Sequence, residues 1–163
     1  MKGQTELIIF ILLFIISIFL FTAATIWSKG IFQQNIDVAK LEAVEKFIKD
    51  LDKDILNLIK FGGSKEIEYN LDGTIEILDD NKTIEIRTPI SLALQKTWIN
   101  ISDISYIREK KDGDDLVLQL NYTPKDYEVR FFTEGSKLAQ PTYIRIEKNY
   151  TSTSLILIKV TFI

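Results

Sequence analysis

Four asparagines of this chain stand in the pattern Asn-x-Ser/Thr, in which the side-chain amide can accept an N-linked glycan. They are Asn81, Asn100, Asn121 and Asn149. Pro124 follows the third pattern and disfavours modification of Asn121. If the domain is exported, all four residues are candidate glycosylation sites.

A second candidate for chemistry is the acidic pattern Asp50-x-Asp52-x-Asp54, which resembles the start of a calcium-binding loop. Such a loop needs glycine at its sixth position and a bidentate glutamate at its twelfth. Ile55 and Phe61 occupy those two positions. We therefore interpret the three aspartates as part of a solvent-exposed helix face.

The composition excludes several classes of enzyme and of binding site. The chain has no cysteine and no histidine, which removes disulfides, thiolate metal sites and nucleophile–histidine pairs. Its 20 basic and 23 acidic residues give a net charge of −3 without a basic patch, which argues against nucleic-acid binding. The acidic runs 79–80 and 112–115 are interpreted as turns. We expect no catalytic residue, no metal and no cofactor.

The start of the chain carries a processing signal. Lys2, Gly3 and Gln4 are followed by Glu6 and then directly by uncharged sequence. This arrangement resembles the class III signal peptides of archaeal type IV pilins and archaellins. The resemblance implies that a prepilin peptidase cuts between Gly3 and Gln4 on the cytoplasmic side. Residues 1–3 would be the leader, and the apolar helix would stay on the mature protein.

Glu6 has two interpretations. In type IV pilins the corresponding acid is thought to pair with the amino terminus of a neighbouring subunit, which here would be Gln4. Such a partner matters because an unpaired carboxylate buried among apolar helices costs several kcal/mol. Glu6 would be the third mature residue, whereas the family usually places this acid fifth. In the alternative interpretation, Glu6 only marks the membrane boundary.

These signals abut an uncharged run, residues 7–27, in which fifteen of 21 residues are Leu, Ile or Phe. As a helix the run is about 30 Å long, which matches the hydrocarbon core of a bilayer. Its Leu, Ile and Phe side chains favour insertion by about 5–9 kcal/mol. Residues 4–29 are therefore predicted to form a transmembrane or filament-core helix, and conventional signal-peptide cleavage near Ala23 and Ala24 is disfavoured.

The pattern changes after Gly30, where a kink in the helix is expected. Residues 30–62 are predicted to form an amphipathic helix that ends at Gly62 and Gly63. Its apolar positions recur at spacings of three and four; they are Ile36, Ala43, Val44, Phe47, Ile48, Leu51, Ile55, Leu58 and Ile59.

Residues 63–163 show strand patterns, with eight or nine short alternating segments and no βαβ spacing. We therefore predict an α+β fold in which a long N-terminal helix precedes an antiparallel, β-sandwich-like head. Asp72 and Gly73 predict a tight hairpin between the first two strands. The run 155–158 is apolar at every position, which predicts a central strand that is buried on both faces.

The first functional hypothesis is a pilin-like structural subunit that assembles into an archaeal surface filament through its apolar helix. The second is a membrane-anchored, non-polymerising protein, stator-like or adhesive, that binds the cell envelope. A third is an uncleaved anchor for an extracellular adhesion or sensory domain. The expected partners are the membrane, copies of itself or related pilins, the prepilin peptidase, and an S-layer or glycan. The head would lie outside the cell, on a single-pass protein or on a filament.

Overall fold

The computed structural model describes residues 2–78, 80, 82–101, 106–122, 128–152 and 154–163, with side chains from residue 7 onward. The chain divides into two compact units, Met1–Ile36 and Asp37–Ile163. Each unit is described below by itself. The predicted boundary between residues 29 and 30 thus lies seven residues before the boundary between the two units.

One α-helix, α1, spans Lys2–Phe61, and helical backbone continues through Gly30. The helix ends where predicted, because Gly62 and Gly63 adopt φ angles of 75° and 96°. Such left-handed conformations are easy for glycine and stop an α-helix. The amide of Gly62 still donates to the carbonyl of Leu58 at 2.8 Å, which closes the last turn.

The described part of the head contains ten strands, of which β8 has no counterpart among the predicted segments. Their bounds are β1 Ser64–Glu68, β2 Thr74–Ile77, β3 Thr83–Pro89, β4 Ile99–Asn100, β5 Tyr106–Asp112, β6 Asp115–Asn121, β7 Glu128–Phe132, β8 Leu138–Ala139, β9 Tyr143–Thr151 and β10 Leu155–Phe162.

These strands form two sheets, one with the order β1-β9-β10-β7 and one with the order β4-β5-β6-β3-β2-β8. The α+β class with a β-rich, sandwich-like head is thus confirmed. The expectation of purely antiparallel pairing is wrong at one place, because β7 and β10 run parallel from Leu155↔Glu128 to Lys159↔Phe132. A long excursion separates these two strands in sequence, so no short βαβ unit was there to reveal the parallel pair.

Both sheets and the second half of α1 share one hydrophobic core. Successive strand side chains point to opposite faces of each sheet, as the pleat requires. The fully buried side chains include Phe131, Ile48, Leu51, Ile55, Ile84, Ile86, Ile107, Leu116, Leu118 and Leu120. The predicted helix stripe is confirmed from Val44 to Ile59, whereas Ile36 and Ala43 are exposed.

Strand β10 lies between β9 and β7, so the prediction of a central strand is confirmed. The prediction that this strand is buried on both faces is wrong. Ile156 and Ile158 are buried against the core, whereas Leu155 and Leu157 are only half-buried. Neither sheet nor helix covers the second face completely, although its residues are apolar.

The predicted hairpin at Asp72 and Gly73 is wrong. Strand β1 pairs with β9, and β2 pairs with β3 and β8, so this turn carries the chain from one sheet to the other. Gly73 is needed for close packing. A Cβ atom at this position would collide with the carbonyl oxygen of Arg87 and would lie 2.5 Å from Thr88 Oγ1.

We expect Gly73→Ala to destabilise the head by about 2–4 kcal/mol, because the added methyl group meets rigid backbone. Gly113→Asn is the matched control. Gly113 has a φ of 65° and open space around it, and asparagine tolerates that conformation. Urea unfolding followed by near-ultraviolet circular dichroism measures both changes. Equal stability of the Gly73→Ala variant and the wild type would contradict the packing argument.

Candidate functional site

The most prominent surface of the first unit is an uninterrupted apolar helix. Its large side chains are exposed from Leu7 to Phe32, with exposed fractions that reach 76% at Phe10 and 75% at Phe21. Isolated exposed apolar residues are common on proteins, but contiguous apolar surfaces of this extent mark sites that lipid or protein must cover.

The three polar residues of the run make their hydrogen bonds inside the helix. The hydroxyls of Ser17, Thr22 and Thr25 each donate at 2.8 Å to the carbonyl oxygen four residues earlier. This back-bonding satisfies a hydroxyl without water. The helix can therefore enter an apolar medium without leaving these groups unpaired, which is the main requirement for a segment in lipid.

By length and composition, α1 contains one stretch that can cross a membrane, and none of that stretch is buried within the protein. The residues of the predicted processing and assembly sites precede this stretch. Lys2, Gly3, Gln4 and Glu6 all lie on the first turns of α1, and their side chains are outside the described part of the structure.

In the second unit, polar contacts fasten α1 to the head. Asp37 is 2% exposed, and its carboxylate accepts a hydrogen bond from the backbone amide of Ser91 at 2.9 Å. Lys40 forms an ion pair with Asp72 at 2.7 Å. Both contacts join residues that are more than thirty positions apart in sequence.

Asp52 corrects the expectation that the aspartates at 50, 52 and 54 are all solvated. Its side chain is 7% exposed and accepts a hydrogen bond from the hydroxyl of Tyr122. Near the helix end, Lys148 Nζ donates to the carbonyl oxygen of Ile59 at 2.6 Å, where a cation also complements the helix dipole. Periodicity could not reveal these contacts, because each partner comes from a distant strand or loop.

The glycosylation candidates differ in accessibility. Asn100, on β4, and Asn149, on β9, are exposed. Asn121 is half-buried at the end of β6, and its Nδ2 donates to Thr83 Oγ1 at 2.6 Å. Asn81 lies outside the described residues.

We expect Asn149 to be glycosylated more fully than Asn121 in protein taken from native surface material. Glycan transfer needs a free amide nitrogen, and that of Asn121 is already donated to Thr83. Glycopeptide mass spectrometry measures the occupancy of each site. An occupied Asn121 beside an unmodified Asn149 would contradict this order.

Two carboxyl groups of the head have displaced pKa values. Hydrogen bonds from Lys82 and Arg130 lower the pKa of Glu128. Desolvation by burial raises the pKa of Glu109, and the nearby charge of Glu45 adds to the effect. Glu128 therefore contributes stability that is lost as the pH falls through its lowered pKa, whereas ionisation of Glu109 destabilises the head as the pH rises above about 4.5.

Among the described residues, no group of three or more acidic side chains is arranged to hold a metal ion. In the run 112–115, Gly113 and Asp114 form the turn between β5 and β6, and Asp112 lies 3.5 Å from Arg87 and 3.8 Å from Lys110. Asp80 accepts hydrogen bonds from the amides of Lys82 and Thr83. Asp112 and Asp80 thus use their carboxylates within the head.

No protein-family model, curated protein or solved structure shows significant similarity to this chain.

Proposed function

We propose that this chain is a pilin-like structural subunit, inserted in a membrane through the first half of α1 and assembled through the same surface into an extracellular filament. The observation that carries the proposal is the exposed apolar surface of residues 7–27, whose hydroxyls are already satisfied. Water is a poor solvent for such a surface, and both lipid and the apolar helices of other subunits suit it.

The leader favours a filament over a simple anchor. Lys2, Gly3 and Gln4 precede the apolar run as a class III signal peptide would, and Glu6 supplies an acid for the mature amino terminus to pair with. The contacts of the second half of α1 support the same role. Asp37 and Asp52 join the second half of the helix to the head through partly buried hydrogen bonds, so tension along this half of the helix would act directly on the head.

The proposal is tested with Glu6→Gln. We expect this variant to insert into the membrane normally but to yield no filaments, because a neutral amide cannot pair with the charged amino terminus of a neighbour. Glu42→Gln, at an exposed position of α1, makes the same change in charge and is expected to assemble normally.

Membrane fractionation measures insertion, electron microscopy of fibres sheared from cells detects filaments, and amino-terminal sequencing identifies the mature terminus. The proposal expects Gln4 at the mature terminus and this polypeptide in the fibres. Normal filaments from the Glu6→Gln variant would refute the assembly role of Glu6. Processed wild-type protein that stays in the membrane, with none in fibres, would favour the non-polymerising anchor instead.

A further inference from the structure

A row of polar side chains crosses the face of the six-stranded sheet that points away from the core. Cross-strand pairing places Glu85 opposite Gln119, Gln119 opposite Arg108, and Arg108 opposite Asn100. Two of these residues are buried although they lie on the outer face: Glu85 is 4% exposed and Gln119 is 7% exposed. Buried polar groups of this kind hold their neighbours in defined positions when their hydrogen bonds are satisfied.

The row fixes the side chain of Arg108. Its Nε and Nη2 donate to Gln119 Oε1 at 3.1 and 2.8 Å, and Gln119 in turn donates to Glu85. The guanidinium carbon also lies 4.4 Å from the centre of the Trp98 ring. A guanidinium held by a stacked ring and a carboxamide has lost its rotamer freedom before any ligand arrives.

The charge of Arg108 is not neutralised by the residues that hold it. Glu85 is already paired with Arg87 at 2.6 Å, and the partner of Arg108 is the neutral carboxamide of Gln119. Among the described residues, no carboxylate oxygen lies within 4.0 Å of a nitrogen of Arg108. Lys110, with Nζ 4.9 Å from the centre of the Trp98 ring, adds a second cation nearby. Lys110 has Asp112 as a partner at 3.8 Å, so Arg108 is the cation of this row that lacks a carboxylate partner among the described residues.

Arg108 borders a shallow pocket of about 210 Å³ that is lined by Asn100, Tyr106, Arg108 and Asn121. The lining residues that belong to the described part of the chain are polar or aromatic. A carboxamide both donates and accepts hydrogen bonds, which matches hydroxyl groups, and Tyr106, which is 43% exposed, carries a flat apolar ring. The guanidinium adds a fork that fits a carboxylate.

We propose that this pocket binds an acidic saccharide. The carboxylate of a uronic acid unit would meet Arg108, its hydroxyls would meet the exposed carboxamide of Asn100, and the face of the sugar ring would lie on Tyr106. The proposal rests on the head alone, so it holds whether the protein polymerises or remains a solitary anchor.

The test uses the full chain in lauryldimethylamine oxide micelles, made in a host without N-glycosylation because a glycan on Asn100 would fill the same pocket. The chain has two tryptophans, Trp27 on the apolar helix and Trp98 beside the pocket. Labelling with 5-fluorotryptophan therefore gives two ¹⁹F NMR signals. Titration with trigalacturonic acid is expected to shift the signal of Trp98 in a saturable way and to leave that of Trp27 in place.

The neutral analogue galactotriose is expected to bind to the wild-type protein at least about tenfold more weakly than trigalacturonic acid. The Arg108→Gln variant is expected to bind trigalacturonic acid at least about tenfold more weakly than the wild type, because a charged hydrogen bond is lost. Arg145→Gln removes the same charge from the other sheet and should leave the affinity unchanged. Equal affinity for the acidic and neutral sugars, an equal loss in both arginine variants, or no shift of Trp98 up to about 10 mM would each overturn the proposal. If Arg108→Gln fails to fold, the comparison of the two sugars on wild-type protein decides.

Discussion

Deletion of residues 159–163 is expected to abolish cooperative folding of the head. Residues 159–162 form the second half of β10, which is the strand between β9 and β7, and Ile163 follows it. The deletion removes the buried side chain of Val160 and the partly buried side chain of Phe162 from the core. It also removes the backbone hydrogen bonds that join Ile163 to Tyr143 at 2.9 and 3.0 Å.

Together these losses amount to about 5–10 kcal/mol, which equals most or all of the stability of a typical domain. Thermal unfolding of the full-length and truncated chains, followed by near-ultraviolet circular dichroism, measures the effect. Val160→Ala is the graded control, since it removes only part of one side chain and should leave a folded head that is weaker by about 1–3 kcal/mol. A truncated chain with a cooperative transition near that of the wild type would contradict the central role of β10.

Ile16→Lys is expected to weaken integration into the membrane substantially, and with it assembly. Ile16 lies near the middle of the apolar run and is 45% exposed. Replacing an apolar residue with lysine at the centre of a membrane helix costs about 3–4 kcal/mol, which is about half of the gain from the whole run. The fraction of protein that resists extraction by alkaline carbonate should therefore fall strongly.

Ile36→Lys is the matched control for this change. Ile36 is on the same helix and is 50% exposed, but it lies beyond the uncharged run, where the lysine amine stays in water. We expect this variant to integrate like the wild type. Equal extraction of both variants would show that the apolar run does not hold the protein in lipid.

Local sequence patterns predicted the helix and most of the strands. The three- and four-residue spacing from Val44 to Ile59 identified the buried face of α1, and two successive glycines identified its end. Alternation located most of the strands within two or three residues. It missed β8, because a two-residue strand has no period to detect.

Pairing was predicted less well than the elements themselves. The Asp72-Gly73 pattern is typical of a hairpin, yet here the glycine is required by a close approach to β3 and not by the turn type. The parallel contact between β7 and β10 depends on how the whole chain returns to the sheet, and no local sequence encodes such a return.

The candidate sites also differ in whether their residues are contiguous in sequence or are brought together by the fold. The candidate processing site at Lys2, Gly3 and Gln4 is contiguous in sequence, so local pattern is enough to propose it. Asp52 is buried, whereas its sequence pattern is typical of a solvated charge. The pocket at Arg108 was not predicted, since Asn100 and Asn121 were noted only as separate glycosylation patterns.

By itself, the sequence determined that this protein carries a long apolar helix, an amphipathic continuation and a β-rich head, because hydrophobic burial and backbone hydrogen bonding act on residues a few positions apart. Only the tertiary structure decided which strands pair, which charges are buried, and where Arg108 stands without a counter-charge. Those properties depend on distances between residues far apart in the chain, such as Asp37 and Ser91.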